Sequence, residues 1–323
     1  MTRPFRFAVQ AYHAESAGQW RETALRAEAL GYSTLHLADH FLGPGPALEA
    51  TNHPQQGLAA VPAMAMAAEA TTRLRIGSRV LCIDYRPAAV LAMEATTLDL
   101  LSEGRLELGL GAGWLRGEYE AAGLRFDPAG TRIDRLEETV RAFKLFCSGE
   151  PLSIEGEHVR WQGFSGIPRP VQRPHPPLMI GGGSRRVLEL AAREAQVVSL
   201  NFNNRSGVIG ADGMHSGSAE ATQRKVDWVR AAAGSRNESL EIEIGAYFTF
   251  VGDAVAGIAE QMAKGLGLST EDMLAHPHAL FGSVDGICEE LQRRRERFGI
   301  SYVTVGAEAI EAFAPVVARL DGQ

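Results

Sequence analysis

Cysteine is scarce in this chain of 323 residues, and the three present are scattered. Cys82, Cys147 and Cys288 each lie inside an apolar segment, in no disulfide or metal spacing, which predicts free thiols in a reducing compartment. Long apolar runs are missing too. The most apolar stretch, residues 58–70, carries Pro62 and Glu69 and is too short to span a bilayer. The chain opens Met-Thr-Arg-Pro-Phe-Arg-Phe and enters a strand without the apolar core of a signal peptide, so a cytoplasmic protein is expected. There is no excess of positive charge. The formal net charge is −7, with Lys and Arg spread along the chain, which speaks against nucleic acid or a membrane surface as a partner. The one dense basic run, Arg293 to Arg295 with Arg297, encloses Glu296 and reads as a solvated helix C-terminus.

What is present is an ordinary globular composition, 45% hydrophobic and 22% charged, in a repeating strand-then-helix order. Strands are expected at 5–11, 34–38, Arg73 to Leu81, 105–110, 178–180, 197–200, Leu240 to Val251 and Ser301 to Val305. Between them, Ser16 with Gln19 opens a helix that Gly31 stops, and helices follow at 59–71 and from Pro87 to Leu101. Thr131 and Asp134 begin another, Ser184 caps the next, and the last three cover 219–233, an interrupted 254–297 and 308–319. Eight strands alternating with eight helices imply parallel strands with helical crossovers, hence a (β/α)8 TIM barrel. The whole chain, 1–323, is read as one such domain. Its departures are a long loop at 42–57 and a proline-rich surface excursion around 150–177 holding a small hairpin, Ser153 to Trp161.

In such a barrel the chemistry lies at the C-terminal strand ends. Those ends offer Tyr12; Asp39 and His40; the 79–82 stretch; Gly109, Gly111, Gly113 and Trp114; Gly181 to Ser184; and Phe202 among asparagines. They include no His-x-His or Glu-rich metal set, no serine elbow and no placed lysine. Glycine, aromatics, amides and histidine suit a planar cofactor with a phosphate tail and no metal. Gly181, Gly182, Gly183 and Ser184 precede a helix, where free N–H groups and the dipole attract an anion. A plain turn and cap is the alternative. His40 can move a proton near neutral pH, with Asp39 beside it. Gly77 inside a β-branched strand signals a bulge or barrel curvature.

Leu37 to Phe41, Ile76 to Leu81, Pro87 to Leu101, Gly104 to Trp114 and Leu178 to Ser184 together resemble the bacterial luciferase-like superfamily, in its deazaflavin-dependent branch. The likeness runs from the first strand to about residue 200. It implies a (β/α)8 barrel with insertions and a cofactor that is coenzyme F420 or, alternatively, FMN. It implies a non-proline cis peptide at Arg79–Val80, which with Ser78 would back the cofactor ring. By the same resemblance Asp39 and His40 stand near the reactive edge of the ring, Gly111 and Gly113 beside it, and Gly181, Gly182, Gly183 and Ser184 hold the phosphate. Asp39 is expected to orient His40 or touch the cofactor. Deazaflavin sugar-phosphate dehydrogenases carry a Glu where this chain has Trp114, which points to a more apolar substrate in a pocket shaped by Tyr12, Trp114 and Phe202. The expected function is F420-dependent hydride transfer. Alternatives are an FMN-dependent monooxygenase that uses O2 and a reductase, and a non-catalytic flavin-binding protein. A homodimer through outer helices, with 59–71 as contact, is implied as well.

Overall fold

The computed structural model describes residues 3–253 and 255–323. Eight parallel strands close on themselves: β1 (Arg6–Gln10), β2 (Thr34–Leu37), β3 (Arg75–Ser78), β4 (Leu106–Gly111), β5 (Leu178–Gly182), β6 (Val197–Leu200), β7 (Glu241–Ala246) and β8 (Ile300–Gly306). Each pairs with its sequence neighbour, and β8 pairs back to β1 with Phe7 opposite Val303. The outer ring is α1 (Ala17–Ala29), α2 (Ala60–Ala70), α3 (Ala88–Leu101), α4 (Ala129–Ser148), α5 (Arg185–Glu194), α6 (Ala219–Ala233), α7 (Val284–Phe298) and α8 (Ile310–Leu320). This is the TIM barrel read from the sequence.

The alternation in β4 explains its place. Leu106, Leu108 and Leu110 join the main apolar core, while Glu107 points inward to His36 of β2 and Tyr302 of β8. Gly109 follows Glu107 on that inner face, and a Cβ there would collide with the Ser78 carbonyl. The bare backbone of β4 is therefore filled by β3 itself. Gly77 pairs with Glu107 and Leu81 with Leu110, so β3 spends one residue more than β4 over the same span, a bulge. The Arg79–Val80 peptide inside it is cis, as the resemblance implied. The third strand is thus not continuous to Leu81; Leu81–Cys82 resumes after the bulge.

The barrel interior is polar. Arg6 reaches Glu107 at 2.8 Å, Glu107 reaches His36 and Tyr302, Thr304 donates to Glu243 at 2.7 Å, and Arg79 Nε donates to Glu243 at 2.8 Å. Thr304 Oγ1 also lies 3.3 Å from His36 Nδ1, which joins the two halves. Burial opposes ionisation of Glu107, but Arg6 and His36 outweigh it and hold its carboxyl well below the usual range.

Two expectations fail in the C-terminal third. The long strand from Leu240 to Val251 ends at Ala246; Phe248–Val251 leaves the barrel and pairs in parallel with a strand at Ala279–Gly282. The span 254–297 accordingly holds helices at Ala256–Leu266 and Thr270–Leu274, then that strand, then α7. Position 254 itself lies outside the described residues, as do Met1 and Thr2. The excursion does hold a hairpin, Pro151–Glu155 against Arg160–Ser165, outside the barrel sheet. Within the 42–57 loop, Pro46–Glu49 forms one helical turn. No helix among the described residues is long and apolar enough to cross a membrane.

Candidate active site

Over the C-terminal strand ends lies a cavity of about 660 Å³. Its roof is made by the loops after β2, β4 and β6, clasped by backbone bonds. Ile209 N–H donates to Thr51 O at 3.0 Å and Arg116 N–H to Gly207 O at 3.2 Å, while Asn52 Nδ2 donates to Ile209 O.

His40 lies on the wall with its Nδ1 2.8 Å from Glu118 Oε2. Glu118 sits on the short helix Arg116–Ala121 and is fully buried. Its Oε1 accepts from Phe41 N–H at 2.8 Å and its Oε2 from the Tyr85 hydroxyl at 2.6 Å. Burial acts to raise the Glu118 pKa, but the His40, Tyr85 and Phe41 donors prevail and keep it below the usual carboxylate range. Sequence reading missed Glu118. Asp39, by contrast, does not orient His40. It forms a two-pronged pair with Arg86 at 2.7 and 2.9 Å and accepts from Cys82 N–H, although it stays on the cavity wall.

A second histidine stands against the first. His53, from the 42–57 loop, packs against His40 with centroids 4.1 Å apart and planes tilted by 45°, and Trp114 closes the group at 5.9 Å from His40. His53 Nδ1 is 2.8 Å from Pro54 O. Burial and the neighbouring His40 push the His53 pKa down to about 4.

Across the cavity, Gly181, Gly182, Gly183 and Ser184 line the wall before α5. The Ser184 side chain makes no capping bond, so the first N–H groups of α5 keep their capacity for an anion. The glycines themselves answer to protein packing. A Cβ on Gly182 would meet Val187, and one on Gly183 the backbone of Asn201 and Phe202. Gly111 is needed by Val80, whose Cγ2 would lie 2.5 Å from an added Cβ, and Gly113, at φ +73°, by the Tyr119 hydroxyl. Both glycines and Val80 still face the cavity, forming a flat floor at the bulge. Ser78 is the exception among the residues singled out. It is fully buried below that floor, with Oγ bonded to both N and O of Gly109, and pins β3 to β4.

Arg79 also lines the floor, its Nη1 donating to Tyr247 at 3.0 Å and to Gln10 at 3.2 Å. Tyr12 and Phe202 complete the expected apolar walls; Phe202 stacks on Tyr247 at 5.6 Å. His276 and His278 do form a His-x-His, but their ring nitrogens lie beside Met214 O and Gly245 O. Among the described residues no group of three or more His, Cys, Asp or Glu is placed to hold a metal.

Residues 1–296 match the family model described as luciferase-like monooxygenase. The chain belongs to that family. It is 29% identical over 178 residues to an FMNH2-dependent dimethylsulfone monooxygenase of Pseudomonas putida, covering 55% of this chain and 45% of the relative. It is 32% identical over 163 residues to an F420-dependent glucose-6-phosphate dehydrogenase of Amycolatopsis mediterranei, covering 50% and 47%. The chain thus spans a little under half the length of these relatives. Among solved structures, the coenzyme F420-dependent tetrahydromethanopterin reductase of Methanopyrus kandleri superposes with a TM-score of 0.77 at 17% identity, over 98% of this chain and all of the other. A monooxygenase of Streptomyces bottropensis gives 0.74 at 21% identity, over 97% and 99%. These likenesses carry the luciferase-like barrel; the family unites oxidoreductases and monooxygenases, and its two kinds of cofactor both occur among the relatives.

Proposed function

We propose that this member of the luciferase-like family is a coenzyme F420-dependent oxidoreductase acting on a small, fairly apolar organic substrate. The observation that carries the reading is His40, set on a buried carboxylate at the rim of a cavity whose opposite wall is an uncapped helix N-terminus. The donor set fits a flavin-like group. N–H groups at the start of α5 would hold its phosphate, and Val80 with Gly111 would back its ring. When bound, the cofactor supplies the hydride chemistry. His40 gives or takes the accompanying proton, while Trp114, Tyr12 and Phe202 surround the substrate and exclude water. Asp39, tied to Arg86, supports the rim beside His40.

The FMN-dependent monooxygenase remains the second reading, favoured by the dimethylsulfone monooxygenase relative. Titrating the purified protein and its His40→Ala variant with F420 and, separately, with FMN, followed by fluorescence, decides between them. Tight binding of F420 alone, retained in His40→Ala while turnover of carbonyl or enone substrates drops at least about a hundredfold, is the expected result. Tight binding of FMN alone with oxygen uptake would transfer the protein to the second reading. If neither bound, the glycine turn would be structural only.

A further inference from the structure

We infer that Glu118 is the positioning residue for His40: it fixes the imidazole proton on Nδ1 and leaves Nε2 as the atom that exchanges a proton with the substrate. The inference rests on the role given to His40 above. It stands on a donor–acceptor count. Three groups converge on one buried carboxylate: the Phe41 N–H, which can only donate, the Tyr85 hydroxyl and His40 Nδ1. The Phe41 N–H has no lone pair to offer. The Tyr85 hydroxyl, 2.6 Å from Oε2, keeps its proton because burial foremost raises its pKa. Burial acts to raise the Glu118 pKa, but His40, Tyr85 and Phe41 together hold the carboxyl below its usual range, so it is ionised and has only lone pairs to offer. The ionised carboxylate accepts from all three, so the hydrogen of the His40 contact sits on Nδ1.

Among the described residues no other group is hydrogen-bonded to that nitrogen. Asp39, adjacent in sequence, is held by Arg86 and the Cys82 N–H. His53 packs tilted against the ring with its own Nδ1 engaged by Pro54 O, and it is neutral at pH 7. Trp114 meets the ring edge-on. Glu118 is thus the charged partner of His40, and it is shut away from water that could replace it.

In the oxidative direction the proton balance closes at this atom. An alcohol substrate would lose hydride from carbon to the oxidised deazaflavin and its hydroxyl proton to Nε2. A C–H and an O–H bond break and the carbonyl π bond forms. The resulting imidazolium carries hydrogens on both nitrogens, with the Nδ1 side facing Glu118. In reduction the same Nε2–H returns the proton.

The test is long-range 1H–15N correlation NMR on the cofactor-free protein labelled with 15N-histidine, the His40 signals being assigned by their loss in His40→Ala. Neutral His40 in the wild type should carry its proton on Nδ1 in a ratio above about ten to one, the bias a charge-assisted bond supplies. Glu118→Gln, whose amide cannot accept from all three donors, should collapse that ratio. Tyr85→Phe, which removes a donor and keeps the carboxylate, should preserve it. An Nε2–H tautomer in the wild type, or a ratio unchanged in Glu118→Gln, overturns the inference. The measurement needs neither cofactor nor substrate. A failed F420 titration with the Nδ1–H tautomer intact would therefore remove the proposed function and leave the Glu118 assignment standing.

Discussion

At the scale of single residues, His53 gives the site a pH limit. Its folded pKa, depressed to about 4 from 6.5, means that the unfolded chain takes up a proton between those values while the folded one refuses it. Nothing is lost above pH 6.5; stability falls as the pH drops through that window and levels below 4. Between pH 7 and pH 5 the loss should be on the order of 1–2 kcal/mol. His53→Gln should flatten that part of a Tm-versus-pH curve, and an equally steep curve would refute the assignment. Residue chemistry was only partly legible in the sequence. His40 could be picked out because it lies just past a strand end, as could Trp114. Glu118 could not, since it is 78 residues from His40 and meets it only once the β2 and β4 loops are brought side by side. Asp39 was given its task for the opposite reason: adjacency in sequence suggested a partnership that Arg86 takes over.

At the scale of elements, β3 and β4 act as one unit. Ser78 and Gly109 exchange two hydrogen bonds, and the Ser78 carbonyl occupies the space where a β4 side chain would stand. Gly109→Ala should therefore cost roughly 3 kcal/mol or more, the upper range for overpacking a core, and should weaken cofactor binding with it. Urea unfolding would measure the first effect; a wild-type midpoint would show that the bulge yields. The glycines were legible, but what they make room for was not. Spacing alone cannot distinguish an approaching ligand from an approaching strand. The same ambiguity of short apolar runs hid Ala279–Gly282 and extended the seventh strand past Ala246, because Phe248–Val251 is as β-prone as β7 itself.

For the whole molecule, α3 leaves an apolar face uncovered. Val90, Met93, Leu100 and Leu101 are 46%, 52%, 46% and 67% exposed on its outer side. α2, the contact expected from the sequence, turns Ala60, Ala63, Met64 and Ala67 into the core. We propose a homodimer in which α3 supplies the contact. Analytical ultracentrifugation should show a dimer in the wild type and a monomer in Met93→Glu; a wild-type monomer at all concentrations would refute it. The polar interior has a different reach. Arg6, Glu107, His36, Tyr302, Thr304, Glu243 and Arg79 are each other's partners from one end of the barrel to the cavity floor. Replacing one strands the next, buried and unpaired. A lineage or a protein engineer seeking a new substrate thus meets a floor that changes only as a set, beneath roof loops that can vary one residue at a time away from His40, His53, Trp114 and Glu118.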